Sequence, residues 1–218
     1  MGQRSLYLSE GGAHMYFLVR IILLLILLLV AILILRKRAV LRRKTVVALI
    51  FATIGLAMLL QFCPVENVFI SFDSPESVFH YMRAGEIQSV VEGEHSALVV
   101  YSKDQSTSST QVVEKTDGTY KIPVFGVLKS VDSGVLDTTA GHYEVLQVSG
   151  TEDYYICVSV MMTNPVVSVS DSFSDDVSYT VSEMVGSNTS VVSIYTYSNE
   201  WPDNYYLDIN ENRILELN

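Results

Sequence analysis

Residues 154–162 read YYICVSVMM, and a strand through this stretch would be apolar on both faces. Successive side chains of a strand point to opposite sides of the sheet. Ile156, Val158 and Val160 therefore share one face, while Cys157 lies on the other. A strand that is apolar on both faces is typical of the centre of a sheet covered on both sides. The stretch predicts a central strand with a packed layer above and below it.

Strand composition extends from this stretch in both directions along the chain. After Gly85, Val, Ile, Tyr, Ser and Thr dominate in alternating patterns that favour strands. The predicted strands are Ile87–Val91, Ala97–Ser102, Gln111–Lys115, Thr119–Ile122, Phe125–Val131, Tyr143–Val148, Tyr154–Met162, Val166–Ser170, Tyr179–Glu183, Val191–Tyr197, Tyr205–Ile209 and Ile214–Leu217. A hairpin turning at Asp117 and Gly118 is predicted, because these two residues accept the positive φ of a tight turn. A second hairpin is predicted to turn at 210–213.

One short helix is predicted before the strands, in SPESVFHYMRAG (74–85). Ser74 is a typical N-cap, Pro75 suits the first helical position, and Gly85 follows the end. Twelve short strands with one helix predict a mostly-β (α+β) domain over 74–218, built as an antiparallel sheet or sandwich with the helix packed on one face.

Two apolar stretches precede this domain. Residues 17–35 contain only Arg20 as a charged residue, and residues 46–62 contain none. A transmembrane helix needs about 20 apolar residues, so the fold class predicted for the whole chain is two N-terminal transmembrane helices followed by the β-rich domain. Residues 1–16 would form a short tail, and residues 63–73 a tether.

The loop at 36–45 between these stretches is strongly basic. Its positive side chains are Arg36, Lys37, Arg38, Arg42, Arg43 and Lys44. Basic loops stay on the cytoplasmic side, so we expect a two-pass protein of the cell membrane with both termini outside. This layout is typical of small surface proteins of Gram-positive bacteria.

Charge is distributed unevenly along the chain. The segment 64–218 has 6 Lys and Arg against 23 Asp and Glu, a net charge of −17, although the whole chain carries −10. A field of this sign repels nucleic acid and favours cations or a basic partner, although net acidity also serves simply to keep a surface domain soluble. We therefore expect no nucleic-acid ligand, and we expect the membrane and another envelope or membrane protein as partners.

The two cysteines do not define a disulfide scaffold. Cys63 follows the second apolar stretch and Cys157 lies inside the central strand. A single bridge between them stays open, although a small buried thiol is the simpler interpretation of Cys157.

The sequence contains no recognised catalytic motif. G-x-S-x-G, H-E-x-x-H, a Walker A loop, G-x-G-x-x-G and C-x-x-C are all absent. Glu92, Glu94 and His95 in VVEGEHS form the best acid/base constellation, and His142 is a further candidate, but a turn between two strands explains the same residues. We therefore assign no catalytic or cofactor-binding residue.

Two further features suggest ligands. Asp171, Asp175 and Asp176 lie in one Ser-rich segment and are weak candidates for a calcium site, since calcium prefers carboxylate oxygens. Tyr195 and Tyr197 alternate in a predicted strand and suit a peptide or glycan groove, although tyrosine is also an ordinary strand residue.

Three functions remain open on these observations. The leading hypothesis is a non-enzymatic, membrane-anchored binding or accessory domain at the cell surface. The first alternative is an envelope-acting hydrolase with a discontinuous Glu/His or Ser site. The second is a small subunit of a membrane complex that acts through its helix hairpin.

Overall fold

The protein is mostly β in a computed structural model that describes residues 18–30, 32–33, 47–48, 50–55, 64–104, 107–124, 127–136, 140–173, 177–183 and 188–217. Twelve strands occur in the described chain: β1 (Glu86–Glu92), β2 (Ser96–Asp104), β3 (Thr107–Thr116), β4 (Thr119–Lys121), β5 (Leu128–Val135), β6 (Gly141–Val148), β7 (Tyr154–Met162), β8 (Val169–Asp171), β9 (Ser178–Glu183), β10 (Ser190–Ser198), β11 (Tyr206–Ile209) and β12 (Asn212–Glu216). Each predicted strand overlaps one of them.

These strands form three antiparallel sheets. Sheet A has the order β1-β2-β3-β4, sheet B has β5-β6-β7-β10-β9, and sheet C has β12-β11-β8. Sheet A and the first three strands of sheet B follow the order of the chain, so short turns suffice to connect them. The chain leaves sheet B after β7 to form β8, and it returns to sheet B for β9 and β10.

The sheets stack as layers with a separate apolar cluster in each interface. The short helix packs on sheet A through Val78 and Phe79. The opposite face of sheet A meets sheet B around Leu98 and Tyr155. The far face of sheet B meets sheet C in the largest cluster, which includes Ile156. The layers therefore run helix, sheet A, sheet B, sheet C.

The prediction of a central strand at 154–162 is confirmed. β7 lies between β6 and β10 in the middle of sheet B. Ile156, Val158 and Val160 are buried against sheet C, whereas Tyr155 and Cys157 face sheet A. Because successive side chains of a strand point to opposite faces of the sheet, β7 contributes side chains to two apolar clusters.

The predicted short helix is also confirmed, and it spans Pro75–Met82. The Ser74 hydroxyl accepts a hydrogen bond from the backbone N–H of Ser77 at 3.3 Å, which satisfies one of the free donors of the first turn. Val78 and Phe79 are fully buried, so this helix owes its place to packing on sheet A.

Both predicted hairpin turns occur at the expected residues. Asp117 and Gly118 have φ of 51° and 74° between β3 and β4, and Asn210 and Glu211 have φ of 51° and 64° between β11 and β12. Paired positive φ values match the twist of an antiparallel ribbon. The second turn is shorter than the predicted 210–213.

The two predicted transmembrane helices are wrong. In the described residues no helix is long and apolar enough to cross a membrane. The predicted two-pass membrane localisation is contradicted by the same finding. The six basic residues at 36–44 lie outside the described residues.

Residues 64–73, the predicted tether, make specific contacts with sheet A. Val65–Val68 forms a 3₁₀-helix, the Asn67 side chain exchanges two hydrogen bonds with the backbone of Ile122, and Phe72 pairs with Tyr120 as an isolated bridge. Glu66 is buried and forms an ion pair with Arg20 at 3.2 Å.

Candidate functional site

A groove of about 830 Å³ opens at one end of the interface between sheets A and B. The β1–β2, β3–β4 and β6–β7 turns converge there, together with Asn199 after β10. The polar residues that line it are Glu94, His95, Glu114, Lys115, Thr116, Asp117, Ser149, Thr151, Glu152, Asp153 and Asn199. Loops grouped at one end of a rigid β scaffold are a common place for binding sites.

Asp153, which is 1% exposed, organises the wall of this groove. Its carboxylate accepts hydrogen bonds from the backbone N–H of His95 at 2.9 Å and from the hydroxyls of Ser96 and Tyr197. The Tyr197 oxygen in turn accepts from the N–H of Glu94 at 3.0 Å. Because a buried carboxylate needs such partners, Asp153 fixes the β1–β2 turn against sheet B.

Gly93 makes this close approach possible. A Cβ at Gly93 would lie 2.7 Å from the Tyr197 ring, 2.8 Å from the Tyr155 hydroxyl and 2.9 Å from the Asp153 carboxylate. Any larger residue would push the turn away from the buried network. The glycine is therefore required by close packing of the turn on sheet B.

The tyrosines of the network hold their protons firmly. Burial raises the pKa of Tyr197 to about 12, with the Asp153 charge adding to the shift and the Glu94 N–H opposing it. Burial also raises the pKa of Tyr155, which hydrogen-bonds to Ser96 at 2.8 Å. Neutral hydroxyls are donors and acceptors but weak nucleophiles. The network is thus suited to positioning the turn.

The predicted acid/base constellation is separated by the fold. Glu94 and His95 both reach the groove, with their side chains mostly exposed and 3.9 Å apart. Glu92 points elsewhere and accepts hydrogen bonds from Tyr120 at 3.0 Å and Lys115 at 3.4 Å.

His142 lies far from these residues. It sits opposite Val135 and Ser159 in sheet B, six residues along β6 from Val148, which lines the groove. Six residues of strand span roughly 20 Å. Ser96, the serine nearest to the constellation, is fully buried and bonded to Asp153. The fold therefore keeps His142 away from Glu94 and His95.

The calcium candidates can be placed only in part. Asp171 ends β8 and is 5% exposed. Its carboxylate accepts from the Phe173 N–H at 2.8 Å, the Thr196 hydroxyl at 2.8 Å and the Tyr205 hydroxyl at 3.3 Å. Asp175 and Asp176 lie outside the described residues, so the calcium site stays a prediction. Among the residues that the structure describes, no group of three His, Cys, Asp or Glu side chains is placed to hold a metal ion.

Tyr195 and Cys157 belong to the core. Tyr195 is 7% exposed and packs between sheets A and B, so it does not line an open groove. Tyr197 is half-buried and acts on the groove only through Asp153 and Glu94. Burial raises the pKa of Cys157 to about 12, with Glu144 contributing, which makes this thiol inert.

Sequence reasoning missed Asp153, the residue on which the groove depends most. It immediately precedes β7, where a lone Asp looks like part of a solvated turn. Its partners His95 and Tyr197 are 58 and 44 residues away in the chain. Neither Asp153 nor the glycine-containing turn at Gly93 is unusual in a sequence, so nothing in the sequence indicated that the two would meet.

Comparison with known proteins gives no match for this chain: no family model, no curated protein and no solved structure is similar to it. The function is therefore inferred from the groove alone.

Proposed function

We propose that the β-rich domain is a non-enzymatic binding module whose groove receives a positively charged segment of another protein. The groove is the observation that carries this proposal. Its rim brings together Glu94, Asp117 and Glu152 from three different turns, with Glu114 contributed by β3. Lys115, the one Lys or Arg in its described lining, is already paired with Glu92 at 3.4 Å.

The net negative charge of the whole domain also favours a positively charged partner. The net charge of −17 over 64–218 attracts a cationic partner over distances up to the Debye length, about 8 Å at physiological salt. Such fields raise association rates and make them dependent on ionic strength. A partner held mainly by this groove should therefore bind more weakly as salt increases.

The groove also has the construction of a preformed site. The β1–β2 turn is tied to sheet B through Asp153 and Tyr197, and the Thr151 hydroxyl accepts from the Asp153 N–H at 3.1 Å while donating to the Val148 carbonyl. A site fixed before binding loses little conformational entropy when the partner arrives.

Titration calorimetry on the full chain tests the proposal with hexalysine and hexaglutamate as probes. We expect hexalysine to bind and hexaglutamate not to bind. The groove variant Glu94→Gln/Asp117→Asn/Glu152→Gln should bind hexalysine roughly 10-fold more weakly or worse, since each lost charge contact contributes about 0.5–1 kcal/mol.

A matched control separates the groove from net charge. Glu86→Gln/Glu183→Gln/Glu211→Gln removes three exposed acidic residues elsewhere and should keep the affinity within about 3-fold, as expected when direct contacts dominate. Equal losses in both variants, or no binding of hexalysine by the wild-type chain, would contradict the proposal.

A second variant addresses the basic segment of the same chain. Replacing the six Lys and Arg of 36–44 with Gln should leave hexalysine binding unchanged. A 10-fold gain in affinity would instead identify this segment as the occupant of the groove, and would contradict binding of another protein.

A further inference from the structure

Trp201, the single tryptophan of the chain, lies beside the groove. It belongs to the loop between β10 and β11, two residues after Asn199 of the groove lining. The side chain remains 42% exposed, and its ring meets the Tyr154 ring edge to face at 5.8 Å. Tyr154 is linked back to the groove through Gln147, whose amide donates to the Tyr154 hydroxyl and to the Thr151 carbonyl.

The loop that presents Trp201 is fixed by its own hydrogen bonds. The buried Ser198 hydroxyl donates to the Glu200 carbonyl at 2.7 Å. The Asp203 N–H donates to the Trp201 carbonyl at 2.7 Å, and the Tyr205 N–H donates to the carbonyl of the buried Pro202. A large ring held in this way offers contact area at a low entropic cost.

Acidic residues flank Trp201 in the chain. Glu200 and Asp203 are both exposed, one on each side of Trp201 in the chain. Glu152 of the groove rim is also exposed and lies next to Thr151. An aromatic ring beside carboxylates attracts a cation through the ring face and through charge–charge contacts.

The molecule uses the same combination internally in sheet C. The Arg213 guanidinium lies 3.9 Å above the Tyr206 ring centre, and its Nε donates to Asp208 at 2.6 Å. Tyr101 and Tyr120 are also approached by cations of the chain, Arg83 and Lys115. Within the described ranges, no Lys or Arg lies over Trp201 in this way.

We infer that Trp201 anchors an arginine of the bound segment, with the guanidinium stacked on the indole and its N–H groups donating to Glu200 and Asp203. The inference rests on the proposed function and names the chemistry that one end of the groove selects. Arginine fits better than lysine because its planar guanidinium both stacks on a ring and donates to two carboxylates, whereas an ammonium is a compact, strongly hydrated charge. The rest of the segment passes Asn199 into the acidic groove.

The intrinsic fluorescence of the full chain reports on this residue directly, since there is no second tryptophan. Hexaarginine should change the emission of Trp201. It should also bind about 5-fold or more tightly than hexalysine, which is the gain expected from one cation–π contact at a partly exposed ring. A hexamer of β-1,4-linked N-acetylglucosamine serves as the third probe, because a sugar ring also stacks on indole. Fluorescence change with the sugar and none with hexaarginine would assign the ring to a glycan and overturn the inference.

Substitutions measured by calorimetry separate the inference from the proposed function. Trp201→Leu should remove the preference for hexaarginine over hexalysine, Trp201→Phe should keep part of it, and Asp203→Asn should reduce it. Phe173→Leu, at an exposed aromatic ring on the Tyr205 side, is the control and should have no effect.

Each outcome has a distinct meaning. If Trp201→Leu keeps the arginine preference while the groove variant loses binding, the proposed function stands and the anchor is wrong. If the wild-type chain binds neither cationic peptide, both are wrong. Thermal unfolding of each variant excludes loss of folding as the cause.

Discussion

Two buried aspartates occupy comparable positions on opposite faces of sheet B. Asp153 joins sheet B to sheet A, and Asp171 joins it to sheet C. Two neighbouring residues of β10 donate hydrogen bonds to them: Thr196 to Asp171 and Tyr197 to Asp153. Each carboxylate accepts hydrogen bonds from one backbone N–H and two hydroxyls.

The two networks differ in what they hold. Asp171 binds the hydroxyls of two buried side chains inside an interface with fourteen buried apolar residues among those described. Asp153 works in an interface with seven and binds the turn that carries Glu94 and His95 into the groove. A buried, hydrogen-bonded aspartate therefore stabilises the core between sheets B and C in one case and positions the groove in the other.

Removal of each carboxylate should show this difference most strongly. Asp153→Ala leaves three donors unsatisfied in the smaller interface and should lower the free energy of unfolding by about 3–5 kcal/mol. Asp171→Ala should lower it by about 2–4 kcal/mol, since the larger apolar cluster remains. Urea denaturation measures both values.

Binding separates these two variants further. Hexalysine affinity, measured below the unfolding transition, should fall in Asp153→Ala and stay at the wild-type level in Asp171→Ala. Equal affinities in the two variants would show that Asp153 does not position the groove.

Glycine substitution should perturb the groove side by a smaller amount. Gly93→Ala places its Cβ against Tyr197, Tyr155 and Asp153, and we expect a loss of about 1–3 kcal/mol by overpacking. Gly134→Ala is the matched control in β5, where the three atoms nearest to the Cβ all belong to the half-buried Tyr143 side chain. A larger loss in the control would refute the requirement for glycine at 93.

Alkaline stability should also distinguish the two β10 hydroxyls, Thr196 and Tyr197. Unfolded tyrosine ionises near pH 10, whereas the folded protein raises the pKa of Tyr197 to about 12. Between these values the unfolded state binds fewer protons, so stability is full below about pH 10 and falls as the pH rises toward 12. Tyr197→Phe should reduce the steepness of this fall, while Thr196→Val, which removes a hydroxyl that does not ionise, should preserve it. Urea midpoints measured from pH 8 to 12 give both slopes.

Sequence patterns predicted the parts of this fold that depend on neighbouring residues. Alternation at 154–162 identified the central strand, Ser74 and Pro75 identified the start of the short helix, and Asp117-Gly118 identified a hairpin turn. Each rests on contacts within a few positions of the chain, where periodicity and turn chemistry are informative.

Long-range pairing was not predictable in the same way. Asp153 became important only because the fold brought His95 and Tyr197 to it, and Tyr195 became core because sheet A covers it. The expectation of two membrane-spanning helices was wrong, since in the described residues no helix is long and apolar enough to cross a membrane. Separation in the chain, rather than residue type, limited the inference of the site.

The smallest effect should come from the two hydroxyls of β10. Thr196→Val and Tyr197→Phe each remove one donor to a buried carboxylate that keeps its other partners, and each should lower stability by about 1 kcal/mol. Only Tyr197→Phe also frees the Glu94 N–H, so only this variant should weaken hexalysine binding. Calorimetry and urea denaturation on both proteins compare the two effects directly. If both variants bind like the wild type, the turn is held by His95 and Ser96 alone, and the contribution of Tyr197 to the groove is limited to packing.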